Sequence, residues 1–177
     1  IRVGSRTISV KGGHLKIASI LDEEWLQKSE DSESESLIAG VMESPLRADV
    51  FTFAQKFNEP TPKHRHFFEW DNVAAIPVSS FSQWWEQLPQ ESRRNIKRAK
   101  RMGVTAVEVE FNDSLVRGIP EVYNADPVRQ KSRFWHYGKS FDAVKAENAT
   151  YLDRSRFIGA YLGSELIGFI KMVHVDG

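Results

Sequence analysis

Apolar and polar residues alternate from Arg6 to Lys11. The pair Gly12-Gly13 then interrupts them before a second short run, Leu15 to Ile20, so this opening predicts a β-hairpin. Asp22 stands where it can cap a short helix through Leu26, and Leu37 to Glu43 has helical spacing that stops at Ser44-Pro45. The acidic serine run from Ser29 to Ser36 has no apolar residue to bury and predicts an exposed loop. Asp49 to Phe57 alternates as a strand until Glu59-Pro60-Thr61-Pro62 breaks it. His66 to Ile76 is apolar and aromatic, with Glu69, Trp70, Asp71 and Asn72 in its middle.

Punctuation is clearer in the second half. Ser80 or Ser82 caps a helix that carries Trp84, Trp85 and Leu88 and ends at Pro89; Ser92 caps the next, Arg93 to Met102, which Gly103 terminates. Val104 to Phe111 alternates as a half-buried strand, with Val107 and Val109 to one side and Glu108 and Glu110 to the other. Asp113 caps a helix reaching roughly Asp126, with Pro120 an irregularity inside it. An aromatic and basic loop, Pro127 to Lys139, precedes a helix from Phe141 to Tyr151. Phe157 to Leu162, the turn Gly163-Ser164 and Glu165 to Val175 predict a second hairpin.

Eleven Phe and five Trp among 177 residues are enough to fill one core or two small ones. No apolar run is long enough to span a bilayer, and no signal peptide is visible, although the chain starts at Ile1; the cytoplasm is the expected location. The absence of cysteine excludes disulfides, a thiol nucleophile and thiolate zinc sites. A net charge of zero conceals segregation. Asp22, Glu23, Glu24, Glu30, Asp31, Glu33 and Glu35 face Lys28 alone, whereas Arg93, Arg94, Lys97, Arg98, Lys100 and Arg101 follow one another with no acid between. On a helix those six cations fill an arc of roughly 160°, with Ile96, Ala99 and Met102 opposite. Such an arc is either a solvated face or an electropositive patch for phosphate, in nucleic acid, membrane headgroups or a nucleotide-linked ligand.

The segment from Leu88 to Val104, with Arg93-Arg94-Asn95-Ile96 at its centre and Gly103-Val104 at its end, resembles the start of FemAB-like acyltransferase domains. Those domains have the acyl-CoA N-acyltransferase (GNAT) fold. Phe157, Gly159, Tyr161, Gly163, Ile167, Gly168 and Phe169 are similar to that family's central hairpin, and the likeness covers residues 88–177. It implies an α/β (α+β) GNAT-like mixed sheet with flanking helices, incomplete at the C-terminus. Residues 1–87, which the likeness does not reach, are expected to form an N-terminal α/β subdomain of unknown role. The resemblance further implies acyl or aminoacyl transfer to an amine of a cell-envelope or polysaccharide precursor, small or lipid-linked. The donor would be acyl-CoA (acetyl-CoA) or aminoacyl-tRNA, which would make RNA a partner. Backbone groups of Phe169, Ile170, Lys171, Met172 and Val173 would contact the acyl group, and the pyrophosphate loop of a coenzyme A site would follow Gly177. The competing functions are a nucleic-acid-binding module built on the basic helix and an inactive GNAT-like scaffold.

Direct attack by an amine needs a proton acceptor. Glu69 and Asp71 are candidates because carboxylates in an apolar stretch are pushed toward the neutral form; the alternative is a capped turn around a buried Trp70. In the 127–139 loop, Arg129, Arg133, Trp135, Tyr137 and Lys139 are side chains suited to a sugar or nucleotide, and His136 titrates near neutrality. The alternative is that the aromatic residues merely anchor that loop. His64 and His66 lack a third ligand nearby, so no metal is expected, and no P-loop, dinucleotide fingerprint or Gly-x-Ser-x-Gly elbow occurs.

Overall fold

A computed structural model describes residues 1–27, 33–55 and 60–175. The chain divides into two compact units, residues 1–75 and residues 76–174. Both mix helices with sheet, so the class is α+β.

The first unit strings β1 (Arg2–Val3), β2 (Arg6–Lys11) and β3 (Ile17–Ile20) into an antiparallel ladder. A 3₁₀ turn (Asp22–Leu26) and helix α1 (Glu33–Glu43) then cross over to β4 (Val50–Thr52), which pairs parallel to β3. A parallel pair requires such a crossover, and α1 covers the sheet by placing Leu37 and Val41 against Val3, Ile8 and Ala18. Arg6 shares the inner face of β2 with Ile8 and is 3 % exposed. Its guanidinium holds Glu33 through two bonds, Nε to Oε1 and Nη2 to Oε2, both 3.0 Å, and donates 2.6 Å to the Glu24 carbonyl. The acidic serine run is therefore not all loop. Glu33 to Ser36 opens α1, because Glu33 is the counter-ion of a buried arginine; residues 28–32 lie outside the described residues. Asp22 does not cap the turn, since Leu21 occupies the cap position without a side-chain bond. The expected strand from Asp49 shrinks to three residues, and its end at 56–57 lies outside the described residues. Residues 66–75 carry no regular structure, and Trp70 is 73 % exposed.

In the second unit, helices α2 (Phe81–Gln87) and α3 (Gln90–Arg101) lead into β5 (Val104–Val109). Helix α4 (Asp113–Asn124), the two-residue strands β6 (Val128–Arg129) and β7 (Ser132–Arg133), and helix α5 (Phe141–Asn148) follow. A 3₁₀ turn (Leu152–Arg154) then enters β8 (Ser155–Leu162) and β9 (Glu165–Val173). The sheet order is β5-β8-β9, antiparallel throughout, with an irregularity in register at Ala160/Tyr161.

Helix α4 presents Leu115, Val116, Ile119 and Tyr123 to β8, β9 and α5, where they pack with Val144, Phe157 and Leu166. Val116, Ile119 and Val144 are fully buried, each worth about 1.5–3 kcal/mol of removed apolar surface. The caps are local: Ser80 accepts from Gln83 N, Ser140 from Ala143 N, and Asn112 from both Ser114 N and Leu115 N. Asn112, not Asp113, is thus the cap of α4. Ser92 does not cap α3, which Pro89 precedes without a side-chain bond. Gly103, at φ +89°, ends α3. Val107 stays 47 % exposed although it shares a face with Val109. Its cross-strand partner is Gly159, which has no side chain to cover it, whereas Val109 lies opposite Phe157.

Candidate functional site

The end of α4, the β6–β7 hairpin, the following loop, α5 and β9 converge on one cluster of rings and charges. The hairpin turns through Gln130 (φ 51°) and Lys131 (φ 65°), a pair of left-handed residues that matches the twist of a tight two-residue connection. Neither is glycine, so the turn carries backbone strain of order 1–3 kcal/mol per residue. The hairpin sets Arg129 back over the core. Its guanidinium donates to the Val122 carbonyl at 3.2 Å and lies 3.9 Å above the Phe134 ring. Asn124 holds the far side of the loop by accepting from Gly138 N at 2.8 Å.

Tyr123 is the floor of the cluster. Its ring stacks on His136 at 4.3 Å and touches Phe134 and Phe169, each at 5.8 Å. Burial raises the Tyr123 phenol above its ordinary value, against a hydrogen bond with Asn148 that acts the other way. Above His136 stands Trp135, ring centres 3.7 Å apart, 72 % exposed. Lys139 closes the group. Its Nζ donates to Glu147 Oε1 at 2.6 Å, lies 3.1 Å from His136 Nδ1 and sits 3.9 Å over the Trp135 ring.

The chemistry of His136 follows from these neighbours. Burial lowers its pKa first and the Lys139 charge lowers it further, while Glu147, 3.8 Å away, partly offsets both. His136 is therefore neutral near pH 7. An ammonium has only donors, so Nδ1 accepts from Lys139 and the ring proton lies on Nε2. In this arrangement His136 offers an N–H at Nε2, and it takes up a proton at Nδ1 only when Lys139 swings to Glu147 alone.

Of the residues that the sequence proposed, Arg129, Trp135, His136 and Lys139 meet in this cluster. Arg133 and Tyr137 are exposed on the same loop. Phe169 joins through its ring, in addition to the backbone role proposed for β9. Further along β9, Lys171 Nζ donates to the Thr150 carbonyl and Oγ1 at 2.7 and 2.6 Å, and Ile170 and Met172 are 54 % and 42 % exposed. Glu69 and Asp71 do not have the apolar surroundings that recommended them as bases. Both are exposed, in a segment of the first unit without regular structure. Tyr123 and Glu147 were not proposed. Tyr123 is visible in retrospect on the apolar stripe of α4, but nothing local ties Glu147 to Lys139, eight positions earlier.

Among the described residues no three His, Cys, Asp or Glu side chains gather as a metal site, and no helix is long and apolar enough to cross a membrane. The His64 and His66 rings stack at 6.3 Å. No protein-family model, no curated protein and no solved structure matches this chain.

Proposed function

We propose that the second unit carries the acyl-holding strand and the acceptor-binding loop of a GNAT-like N-acyltransferase. It would move an acyl or aminoacyl group from a thioester or ester to an amine of a cell-envelope or polysaccharide precursor. The observation that carries this is the order β5, α4, α5, β8, β9 with β8 as the middle strand. The FemAB-like resemblance over residues 88–177 implies the same order, a basic helix, a strand, a helix, an aromatic loop, a helix and a hairpin.

In this proposal the edge of β9 away from β8, unpaired among the described residues, serves the donor. An edge strand has N–H groups turned away from its neighbour, and such donors stabilise the negative charge that develops on a carbonyl under attack. Acyl-CoA and aminoacyl-tRNA both present that carbonyl. The ring contacts Phe169–Tyr123–His136–Trp135 join β9 to the loop, which supports placing the acceptor there. Trp135 and Tyr137 would stack on the acceptor, and Arg129 and Arg133 would meet its anionic groups. The amine nitrogen attacks the carbonyl carbon and forms the C–N bond. The C–S or C–O bond breaks, and the thiolate or alkoxide leaves. The amine proton passes to His136 Nδ1 as Lys139 withdraws to Glu147, whose carboxylate then faces an imidazolium.

The test incubates the chain with an acetyl thioester (acetyl-CoA, or S-acetyl-N-acetylcysteamine, which needs no pyrophosphate loop) and a panel of amino sugars and amines. Free thiol is read colorimetrically, against no protein background because the chain has no cysteine. A parallel arm uses tRNA charged with a labelled amino acid. Acceptor-dependent release from either donor, lost on His136→Ala, is expected. A folded chain that consumes neither donor with any acceptor contradicts the proposal.

A further inference from the structure

Helices α2 and α3 have no buried residue. Over a helix of about 18 Å (twelve residues at 1.5 Å each), α3 carries Arg93, Arg94, Lys97, Arg98, Lys100 and Arg101, all exposed except the half-buried Arg93. None of the six makes an ion pair among the described residues. The nearest acids along the chain are Glu86 on α2 and Glu91 in the first turn of α3. Apolar surface flanks the cations on both sides. Before them Ile76, Val78 and Phe81 are 72, 65 and 70 % exposed, and after them Met102 is 60 % exposed. The Phe81 ring leans on Trp84 and Trp85 at 5.6 and 6.0 Å, so the three form one apolar mass.

Phosphate attracts such a cation row whether it belongs to lipid or to nucleic acid, and the apolar component decides between them. Single-stranded nucleic acid needs aromatic faces open for bases to stack on. Here Phe81 stacks on Trp85 at 22° and is tilted 43° against Trp84, and both tryptophans are half-buried, so α2 offers one open ring, Phe81, rather than a platform for successive bases. A bilayer surface needs cations at the phosphates and Trp or Phe at headgroup depth, which is what α3 and α2 offer in succession. We propose that α2 and α3 form a docking surface for an anionic lipid bilayer, α3 lying along the headgroup phosphates and Phe81 entering the interface with the tryptophans behind it. This inference stands on charge and exposure alone and does not depend on the acyltransferase proposal.

The experiment is co-sedimentation of the full chain with vesicles of phosphatidylcholine and phosphatidylglycerol, beside vesicles of phosphatidylcholine alone. Binding to the mixed vesicles only, weakened by salt, is expected. The triple variant Arg94→Glu, Lys97→Glu, Arg101→Glu removes three cations, each worth about a fivefold change in partition, so a loss of about a hundredfold or more is expected. All three side chains are exposed, and circular dichroism checks that the fold survives. Phe81→Ser should lower binding further at high salt, where the apolar contact dominates. Brominated lipid should quench wild-type fluorescence more than that of a Trp84→Phe, Trp85→Phe variant. Equal binding to both vesicle types, binding unchanged in the triple variant, or capture of single-stranded RNA without capture of anionic vesicles would each overturn the proposal.

Discussion

Replacing Gly118 by alanine sets two effects against each other on α4. A Cβ there would stand 2.8 Å from Leu166 Cδ2 and 3.1 Å from Leu166 Cβ. The helix itself gains from the change, since alanine exceeds glycine by about 0.8–1 kcal/mol in a helix interior. Overpacking a filled contact costs roughly 1–3 kcal/mol. Leu166 is 8 % exposed and lies opposite Tyr161 in the register, so it has little room. Its Cδ2 can swing aside, but its Cβ moves only with β9. Overpacking wins, and Gly118→Ala destabilises the second unit by about 1 kcal/mol net. The same contact predicts non-additivity. Leu166→Ala alone opens a cavity costing about 2–4 kcal/mol. With alanine at both positions the clash with Cδ2 is gone and the new methyl fills part of the cavity, while the 3.1 Å contact with the residue-166 Cβ remains, so the double variant is about 1 kcal/mol more stable than the sum of the singles. Hydrogen exchange of β8 amides in rising urea reads this unit by itself. If Gly118→Ala instead increases protection by the full propensity gain, and the two changes add, α4 does not rest on β9 at this point and the reasoning fails.

Three further outcomes are expected. Arg6→Met leaves Glu33 without its bidentate partner and should destabilise the first unit by roughly 3 kcal/mol, read as a lower urea midpoint with unchanged slope. Asn112→Ala removes the acceptor for two backbone N–H groups at the start of α4 and should cost about 1 kcal/mol, with Asn112→Asp tolerated. His136 is held below the ordinary 6.5, so the unfolded chain protonates first. Its contribution to stability is complete above pH 6.5 and declines as pH falls from there toward the folded value. By NMR titration, Lys139→Met should raise the His136 pKa and Glu147→Gln should lower it further; shifts of the same sign would refute the assigned neighbours.

What could be read from the sequence was whatever local chemistry decides. The β8–β9 hairpin showed in its alternation around Gly163, which sits at φ +62°, and α4 showed in its apolar stripe. Where distant partners decide, the pattern misled. Glu33 looks like loop until Arg6, 27 positions earlier, supplies a buried cation. Val107 looks half-buried until Gly159 fails to cover it. The aromatic and basic loop was visible as a candidate site from its composition alone. Its organisation was not, because Tyr123 reaches it from α4 and Glu147 from α5. Glu69 and Asp71 misled for the converse reason: an apolar neighbourhood in sequence is not burial, and Trp70 between them stays exposed.

The central claim is that β9 and the 134–139 loop act as one site. The most direct measurement is amide chemical-shift mapping of the full chain during titration with acetyl-CoA and then with an aminoacyl-tRNA acceptor-stem mimic, each with and without an amino sugar. Shifts concentrated on Phe169 to Val173 with the donor, and on Trp135 to Lys139 with the acceptor, are predicted. Shifts confined to α3, or to the first unit, would contradict it.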